Sequence, residues 1–261
     1  MTNRFLQRRD NQTNQTYQIA YQSRSGEGVG IVFLCGHGSD MYGSKAEALD
    51  AYCAAHNLPF TRFDYFGHGD SDGAFLDGTI SRWTEDALAI LDEVTDGPQI
   101  LVGSSLGGWI MLNVAVARPQ RVAGLIGIAA APDFTERLIW DSLSPEQQAD
   151  MQEAGHIALP NPYADEDVIY PYHLIEDGRE NLRLTDRLPI TCPMTLHQGM
   201  QDHEVPWRTA LEIADKADSD DVTINLVKSA GHRFSSEDEI AALLASVSQM
   251  RNKLQQAGEE D

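Results

Sequence analysis

Basic side chains are scarce: 19 lysines and arginines stand against 40 aspartates and glutamates in 261 residues, a formal charge of −21. The deficit runs along the whole chain, which argues against a nucleic-acid backbone or an anionic membrane surface as partner, since either would be repelled. Cysteine is scarcer still, with Cys35, Cys53 and Cys192 at no paired spacing. They read as small buried hydrophobes in a reducing compartment rather than as a disulfide scaffold. A Cys35 nucleophile is the alternative, but the base and turn it needs are better supplied elsewhere. No apolar run reaches the roughly 18 residues of a membrane span. The opening "MTNRFLQRRDNQTNQ" also lacks the apolar middle of a secretory signal. A cytoplasmic address is the expectation. Arg4, Arg8 and Arg9 raise an organelle leader as the alternative, yet "RFLQR" and "YQIAYQ" read as strands so early that little removable leader remains.

Ligand sets are missing too. No pair of histidines sits at metal-ligand spacing with further ligands, so no metal is implied. Gly36-x-Gly38 resembles a dinucleotide loop, but its third glycine falls at Met41 and no phosphate-clasping helix start follows. "HGDSDG" at His68 to Gly73 lacks an acidic ligand and the closing glutamate of a calcium loop, and reads as a tight structural loop. No cofactor is expected.

What is present is ample core, with 42% hydrophobic residues, enough for one large domain over 1–261 carrying an insertion. After two polar early strands, strands and helices alternate: "VGIVFLC", helix 44–56, "FTRFDY", helix 81–95, "QILVG", helix 105–117, "VAGLIGIAA". This alternation predicts a mostly parallel α/β sheet of about eight strands flanked by helices. It breaks near Pro132. Residues 133–188 hold short amphipathic pieces and loops, read as a small helical lid, before "ITCPMTLHQG" resumes the core. Helix 206–217, strand "VTINLV" and a helix over 236–255 complete it. Trp140, Met151, Ile157, Leu159, Tyr163 and Tyr172 either line a pocket under that lid or pack it onto the core.

"VGSSLGG" joins a branched apolar strand to a helix, and Gly103-Ser104-Ser105-Leu106-Gly107 fits G-x-S-x-G. In that pattern the central serine, Ser105, occupies a strained turn with its hydroxyl presented, while the glycines relieve crowding and Ser104 supports from below. A serine nucleophile needs a base and an acid to orient it, here expected in the order Ser, Asp, His after later strands. "MTLHQGMQDHEVPW" places Asp202 beyond a strand, and "VTINLVKSAGHRF" places His232 beyond another. Their bland readings are a helix cap and a surface histidine. His203 adjoins the proposed acid and His197 lies inside a strand, so both are poorer bases. An oxyanion hole would draw one N–H from Leu106 and another from the loop "FLCGHGSDMYGSKA", either at His37 or, in a second register, at Ser39.

The elbow, the loops bearing acid and base, and the insertion together resemble the α/β-hydrolase superfamily. Within it, "FLCGHGSDMYGSKA", "FDYFGHGDSDG" and "HQGMQDHEVPW" are similar to its palmitoyl-protein thioesterase and acyl-glucuronide esterase group over nearly the whole chain. The resemblance implies a triad of Ser105, Asp202 and His232. The group's oxyanion loop has proline, glycine and an aromatic where this chain has Cys35, Gly36 and His37, which favours His37 as donor. The imidazole in place of an aromatic, and Gly38-Ser39-Asp40 after it, alter the pocket mouth. The activity implied is a serine hydrolase acting on carboxylic esters or thioesters, of small molecules or acyl-proteins, through an acyl-enzyme. The alternatives are cleavage of a carbon–carbon or amide bond in catabolism, and a non-catalytic ligand-binding protein on the same fold.

Overall fold

The computed structural model describes residues 1–9, 14–161 and 165–259. In chain order these form β1 (Arg4–Arg9), β2 (Thr16–Arg24), β3 (Gly30–Leu34), α1 (Ser44–Ala55), β4 (Phe60–Phe63), α2 (Ile80–Ala89), β5 (Gln99–Ser104), α3 (Leu106–Ala117) and β6 (Val122–Ile128). They continue with α4 (Pro145–Ala154), β7 (His156–Leu159), β8 (Val168–Pro171), α5 (Tyr172–Arg179), β9 (Met194–Gly199), α6 (Arg208–Lys216), β10 (Val222–Val227) and α7 (Glu237–Glu259).

Eight strands make one sheet in the order β1-β2-β4-β3-β5-β6-β9-β10. The β1–β2 and β2–β4 pairings are antiparallel and the rest parallel. Burial explains the order. β3, β4 and β5 are buried at every position, as a strand with helices on both faces must be, whereas the edge strands β1 and β10 have no fully buried position. From β3 the chain crosses to β4 on one side, and from β5 to β6 on the other. Right-handed crossovers in opposite directions put α1 and α3 on opposite faces. The sheet therefore has a switch point between β3 and β5, whose ends lie level at the Leu34–Gly103 pairing. A crevice beyond the strand C-termini is the expected consequence.

α3 is the central element. Leu106 through Ala115 are all buried, and Trp109 anchors it by donating its indole N–H to the Asn181 carbonyl (3.0 Å). Helix 81–95 is shorter than its periodicity predicts: α2 ends at Ala89 and a π-helical turn, Ile90–Val94, completes it.

Between β6 and β9 the chain leaves the sheet. The expected helical pieces exist as α4 and α5, with a π-turn at Thr135–Ile139. The insertion read as a small helical lid also holds two short strands, β7 and β8, which form an antiparallel hairpin pairing Ile157 with Tyr170 and Leu159 with Val168. α4 is set by a capping box: the Ser144 hydroxyl accepts from the Gln147 N–H, the Gln147 side chain accepts from the Ser144 N–H, and Gly155 closes the far end at φ 77°. The two ends of the excursion meet at Asp133, whose buried carboxylate accepts the main-chain N–H groups of Arg183 (2.7 Å) and Leu184 (2.8 Å). Among the described residues no helix is long and apolar enough to cross a membrane.

Candidate active site

β5 ends at Ser104 and α3 begins at Leu106, so Ser105 alone makes the turn. Its backbone takes φ 54° and ψ −117°, a conformation a non-glycine residue holds at a cost of about 1–3 kcal/mol. Three hydrogen bonds hold it there: its N–H donates to the Ile128 carbonyl (2.9 Å), and its carbonyl accepts from Gly108 (2.9 Å) and Ala131 (3.1 Å). The flanking glycines are steric necessities. A Cβ at Gly103 would collide with the Gly107 carbonyl, and one at Gly107 with the carbonyls of Leu34 and Cys35. Ser104 is buried beneath, the supporting position its neighbour's exposure implies.

Asp202 follows β9 and His232 follows β10, each on the loop where its strand leaves the sheet. The Ser105 hydroxyl lies 3.0 Å from His232 Nε2, and His232 Nδ1 lies 2.8 Å from Asp202 Oδ2. Asp202 is enclosed by donors: Glu204 and Val205 N–H groups at Oδ1 (2.9 and 2.8 Å) and the Gln198 amide at Oδ2 (2.9 Å). Burial alone would push this carboxyl up. The His232 hydrogen bond and charge, with the two backbone donors, outweigh burial and hold it below the usual carboxylate range. With Nδ1 facing Asp202, Nε2 is the ring nitrogen turned to the serine hydroxyl. Glu204 brings a second carboxylate within 3.8 Å of Nε2.

The other candidates lie apart from this chain of contacts. His197 is buried in β9, its Nε2 3.0 Å from the Ser246 hydroxyl, and burial lowers its pKa to about 4. His203 lines the cleft wall without replacing His232 in the bridge between Asp202 and Ser105. Burial, with Asp64 and Asp40 nearby, raises the Cys35 thiol well above its ordinary value, which disfavours a nucleophilic thiolate. Cys35, Cys53 and Cys192 are free thiols, the first two buried and Cys192 half-buried.

Gly36 abuts the elbow so closely that an added Cβ would sit 3.4 Å from that of Ser105. In the same loop the Ser39 N–H donates to the Gly36 carbonyl (3.1 Å) and the Gly38 N–H to His68 Nε2 (3.2 Å). Among the described residues no hydrogen bond uses the main-chain N–H of His37 or Leu106. Two donors are thus spent in shaping the loop, and the pair at His37 and Leu106 is left over.

A cleft of about 870 Å³ opens above Ser105, between the β3 loop and the β7–β8 hairpin. Phe75, Phe134, Leu138, Leu159, Val168 and Tyr170 supply an apolar wall, while Asp40, Lys45, Glu204 and Arg233 bring charge to it. Of the expected lining residues only Leu159 is there. Met151 is fully buried, and Trp140, Ile157 and Tyr172 pack against the core instead. Trp140 precedes α4, Met151 lies on α4, Ile157 on β7 and Tyr172 at the start of α5, while Tyr163 lies outside the described residues.

Gln198 and His68 were missed by sequence reasoning. The signal for Gln198 is a polar residue inside an apolar strand, four residues before Asp202. Lys45, on α1, was missed as well: its ammonium donates to the Arg233 carbonyl (2.6 Å), tying that helix to the residue after His232.

Comparisons with known proteins fit this geometry. Residues 31–245 match the Alpha/beta hydrolase family. The mitochondrial palmitoyl-protein thioesterase ABHD10 of Rattus norvegicus is 40% identical over 237 residues, 90% of this chain and 80% of the relative. Its Homo sapiens counterpart is 38% identical, again over 90% of this chain and 77% of its own length. Among solved structures, alpha/beta hydrolase domain-containing protein 10 from mouse superposes with a TM-score of 0.89 at 38% identity, over 97% of this chain and all of that one. A protein from Agrobacterium vitis S4 gives 0.90 at 36% identity, over 96% of this chain and all of that one. The expected cytoplasmic address is overturned by these relatives, which are named as mitochondrial proteins. Physically, the net charge and core of the chain are the same on either side of an organelle membrane, so composition did not carry the address. An eight-stranded sheet with its elbow at the switch point, the family match over residues 31–245 and the 36–40% identity of these relatives lead to one conclusion: the chain is a hydrolase belonging to the α/β-hydrolase family.

Proposed function

We propose that the chain is a serine hydrolase of acyl thioesters and esters, acting through an acyl-enzyme on Ser105. The observation that carries the proposal is the unbroken line of contacts from a presented serine, through His232, to a buried, ionised Asp202. In the first half-reaction His232 Nε2 takes the hydroxyl proton as Ser105 Oγ attacks the acyl carbonyl carbon. The carbonyl π pair moves to oxygen, which sits between the His37 and Leu106 N–H groups at the positive end of α3. The imidazolium then gives its proton to the departing thiolate or alkoxide as the bond to it breaks. Water repeats the sequence on the acyl-enzyme and releases the acid. Asp202 keeps the proton on Nδ1 and stabilises the imidazolium without itself being protonated.

Residues 133–188 act, in this reading, as a lid whose hairpin supplies one wall of the acyl site, and the relatives named as palmitoyl-protein thioesterases support an acyl group of some length. The apolar residues Phe134, Leu138, Leu159 and Val168 support the same choice over a peptide. Labelling by a fluorophosphonate tests the nucleophile: Ser105→Ala should lose it, and Ser104→Ala should keep most of it. Full labelling of the Ser105 variant overturns the assignment. Thioester, ester, amide and diketone substrates assayed side by side decide the bond cleaved, and labelling without turnover of any of them leaves a binding protein.

A further inference from the structure

The side chain of His37, as distinct from its main-chain N–H, is not explained by the chemistry above. Its ring is set among five others: Phe75 at 4.7 Å between centroids, Phe134 and Tyr170 at 5.7 Å, Trp83 at 5.8 Å and His68 at 6.5 Å. Tyr170, from the hairpin, stacks on it at an interplanar angle of 17°. An aromatic hydrocarbon would fill such a cage without leaving polar atoms unmatched. An imidazole brings one N–H donor and one bare nitrogen acceptor. Among the described residues no hydrogen bond uses either ring nitrogen of His37, although those of His68, in the same cluster, contact Gly38 and Phe66. Nor do the His37 nitrogens belong to the buried unpaired polar atoms, which include His197 Nδ1. They therefore keep some exposure, on a half-buried residue that lines the cleft beside Ser105. Burial, and secondarily His68, lowers the pKa of the ring to about 3, so near neutrality it is an uncharged donor and acceptor.

We propose that the His37 side chain is a specificity-determining group that recognises a hydroxyl on the acyl chain close to the scissile carbonyl. Three facts point to a hydroxyl on the acyl side. Three of the rings around His37, those of Phe75, Phe134 and Tyr170, line the cleft together with Leu159 and Val168, and neither Lys45 nor Arg233 is among the residues packed on His37. The same residue offers its main chain to the reacting carbonyl, so its side chain meets carbons only a few bonds away. A hydroxyl both donates and accepts, and so matches the two roles of a neutral imidazole, while a carboxylate would find no cation in the cage. A buried polar pair of this kind discriminates by exclusion, since a plain acyl chain leaves the imidazole desolvated and unpaired.

This inference deepens the hydrolase reading, and a binding experiment that needs no turnover separates the two. In the Ser105→Ala protein, the dissociation constants of the decanoyl and 3-hydroxydecanoyl thioesters of N-acetylcysteamine are measured by calorimetry. The hydroxylated ligand is expected to bind about tenfold more tightly, the ratio of one hydrogen bond. In Ser105→Ala/His37→Phe the ratio should fall to near one, because phenylalanine fills the cage without a polar atom. Should that variant fail to fold, the 15N shifts of the His37 ring in the Ser105→Ala protein replace it, moving with the hydroxylated ligand and not with the plain one. Equal affinity for the two thioesters, failure of both to bind, or a preference that survives His37→Phe overturns the proposal. Hydrolysis of the decanoyl thioester by the unmodified chain tests the enzyme reading independently.

Discussion

The turn at Ser105 and the excursion over residues 133–188 face each other across one cleft, and they are built in opposite ways. Around Ser105 every strand position from Gln99 to Ser104 is buried, three main-chain hydrogen bonds fix the strained residue, and glycines stand where any Cβ would strike backbone. Across the cleft the hairpin strand β7 alternates exposed and half-buried residues, and the hairpin's contribution to the site is side chains, those of Leu159, Val168 and Tyr170. The difference teaches where tolerance lies. Strained backbone with no free volume holds reacting atoms to a fraction of an ångström and admits few substitutions. A hairpin presenting side chains at the surface of the core can vary its residues, and with them the acyl group admitted, while the chemistry stays as it is.

Breaking the rigid side should give the largest effect. Asp202→Asn leaves the shape of the site intact but favours the wrong imidazole tautomer, and should lower turnover by roughly 10⁴-fold if the triad behaves like that of the serine proteases. Measured on an activated ester, a rate within tenfold of the unmodified chain moves the acid elsewhere. The same variant has a pH signature. Because the folded-state pKa of Asp202 lies below its unfolded value, its ionised form contributes stability that is fully present above the unfolded pKa and is lost as pH falls through the folded one. The stability gap between the two chains should therefore be constant above about pH 4 and close below it. A gap that widens in acid contradicts the sign. Activity should also fall in acid, since a protonated imidazole cannot accept the serine proton.

On the other side of the comparison, two residues of the excursion should respond in stability and not in chemistry. Met151 is fully buried behind the wall, so Met151→Ala should cost about 2–5 kcal/mol in denaturant unfolding. Asp133 pins the two ends of the excursion through the Arg183 and Leu184 N–H groups, and Asp133→Ala leaves both donors buried without a partner, at roughly 1–3 kcal/mol. In both variants kcat for a short acyl ester should stay within about threefold, a bound the site's rigidity sets. A loss of kcat as large as that of Asp202→Asn would show the two halves of the cleft to be coupled.

Legibility followed the same division. β5, β9 and α3 advertise themselves by apolar runs, period and turn residues, because elements buried on both faces leave little choice of residue, while β10, at the sheet edge, shows itself by its branched residues and the small-residue turn after it. Ser105, Asp202 and His232 were readable as candidates for that reason, and the contacts that join them depend on strands β5, β9 and β10, which the pattern also supplies. The hairpin did not show itself. "HIAL" and "VIYP" are short, and their outward-facing Ala158 and Ile169 are apolar, so no polar–apolar alternation marks them as strands. Whether Met151, Trp140, Ile157 and Tyr172 line the pocket or pack the lid stayed open in the sequence because apolarity marks a residue as inside without saying which inside, and the structure packs them onto the core. The role of His68 was hidden too, since it depends on Gly38, 30 residues away in the chain.

The smallest expected effect is the sharpest test of the division between chemistry and selectivity. Leu159 pairs across the hairpin with Val168, and both side chains face the cleft. Removing the isobutyl tip widens the acyl site without touching the elbow, the His37 loop or the Asp202 loop. Each acyl methylene that loses its contact forgoes up to about 0.8 kcal/mol, so Leu159→Ala should lower kcat/KM for an octanoyl thioester by about three- to tenfold. For the acetyl thioester, too short to reach that wall, the value should change less than twofold. The measurement is kcat/KM along a series from acetyl to palmitoyl at a fixed leaving group. In the unmodified chain the values should climb with length and level off where the pocket is full, and in the variant the climb should be shallower over the carbons that lie against residue 159. Equal proportional losses at every length would mean that the hairpin shapes the reacting geometry itself, and a maximum at acetyl in the unmodified chain would remove the acyl wall altogether.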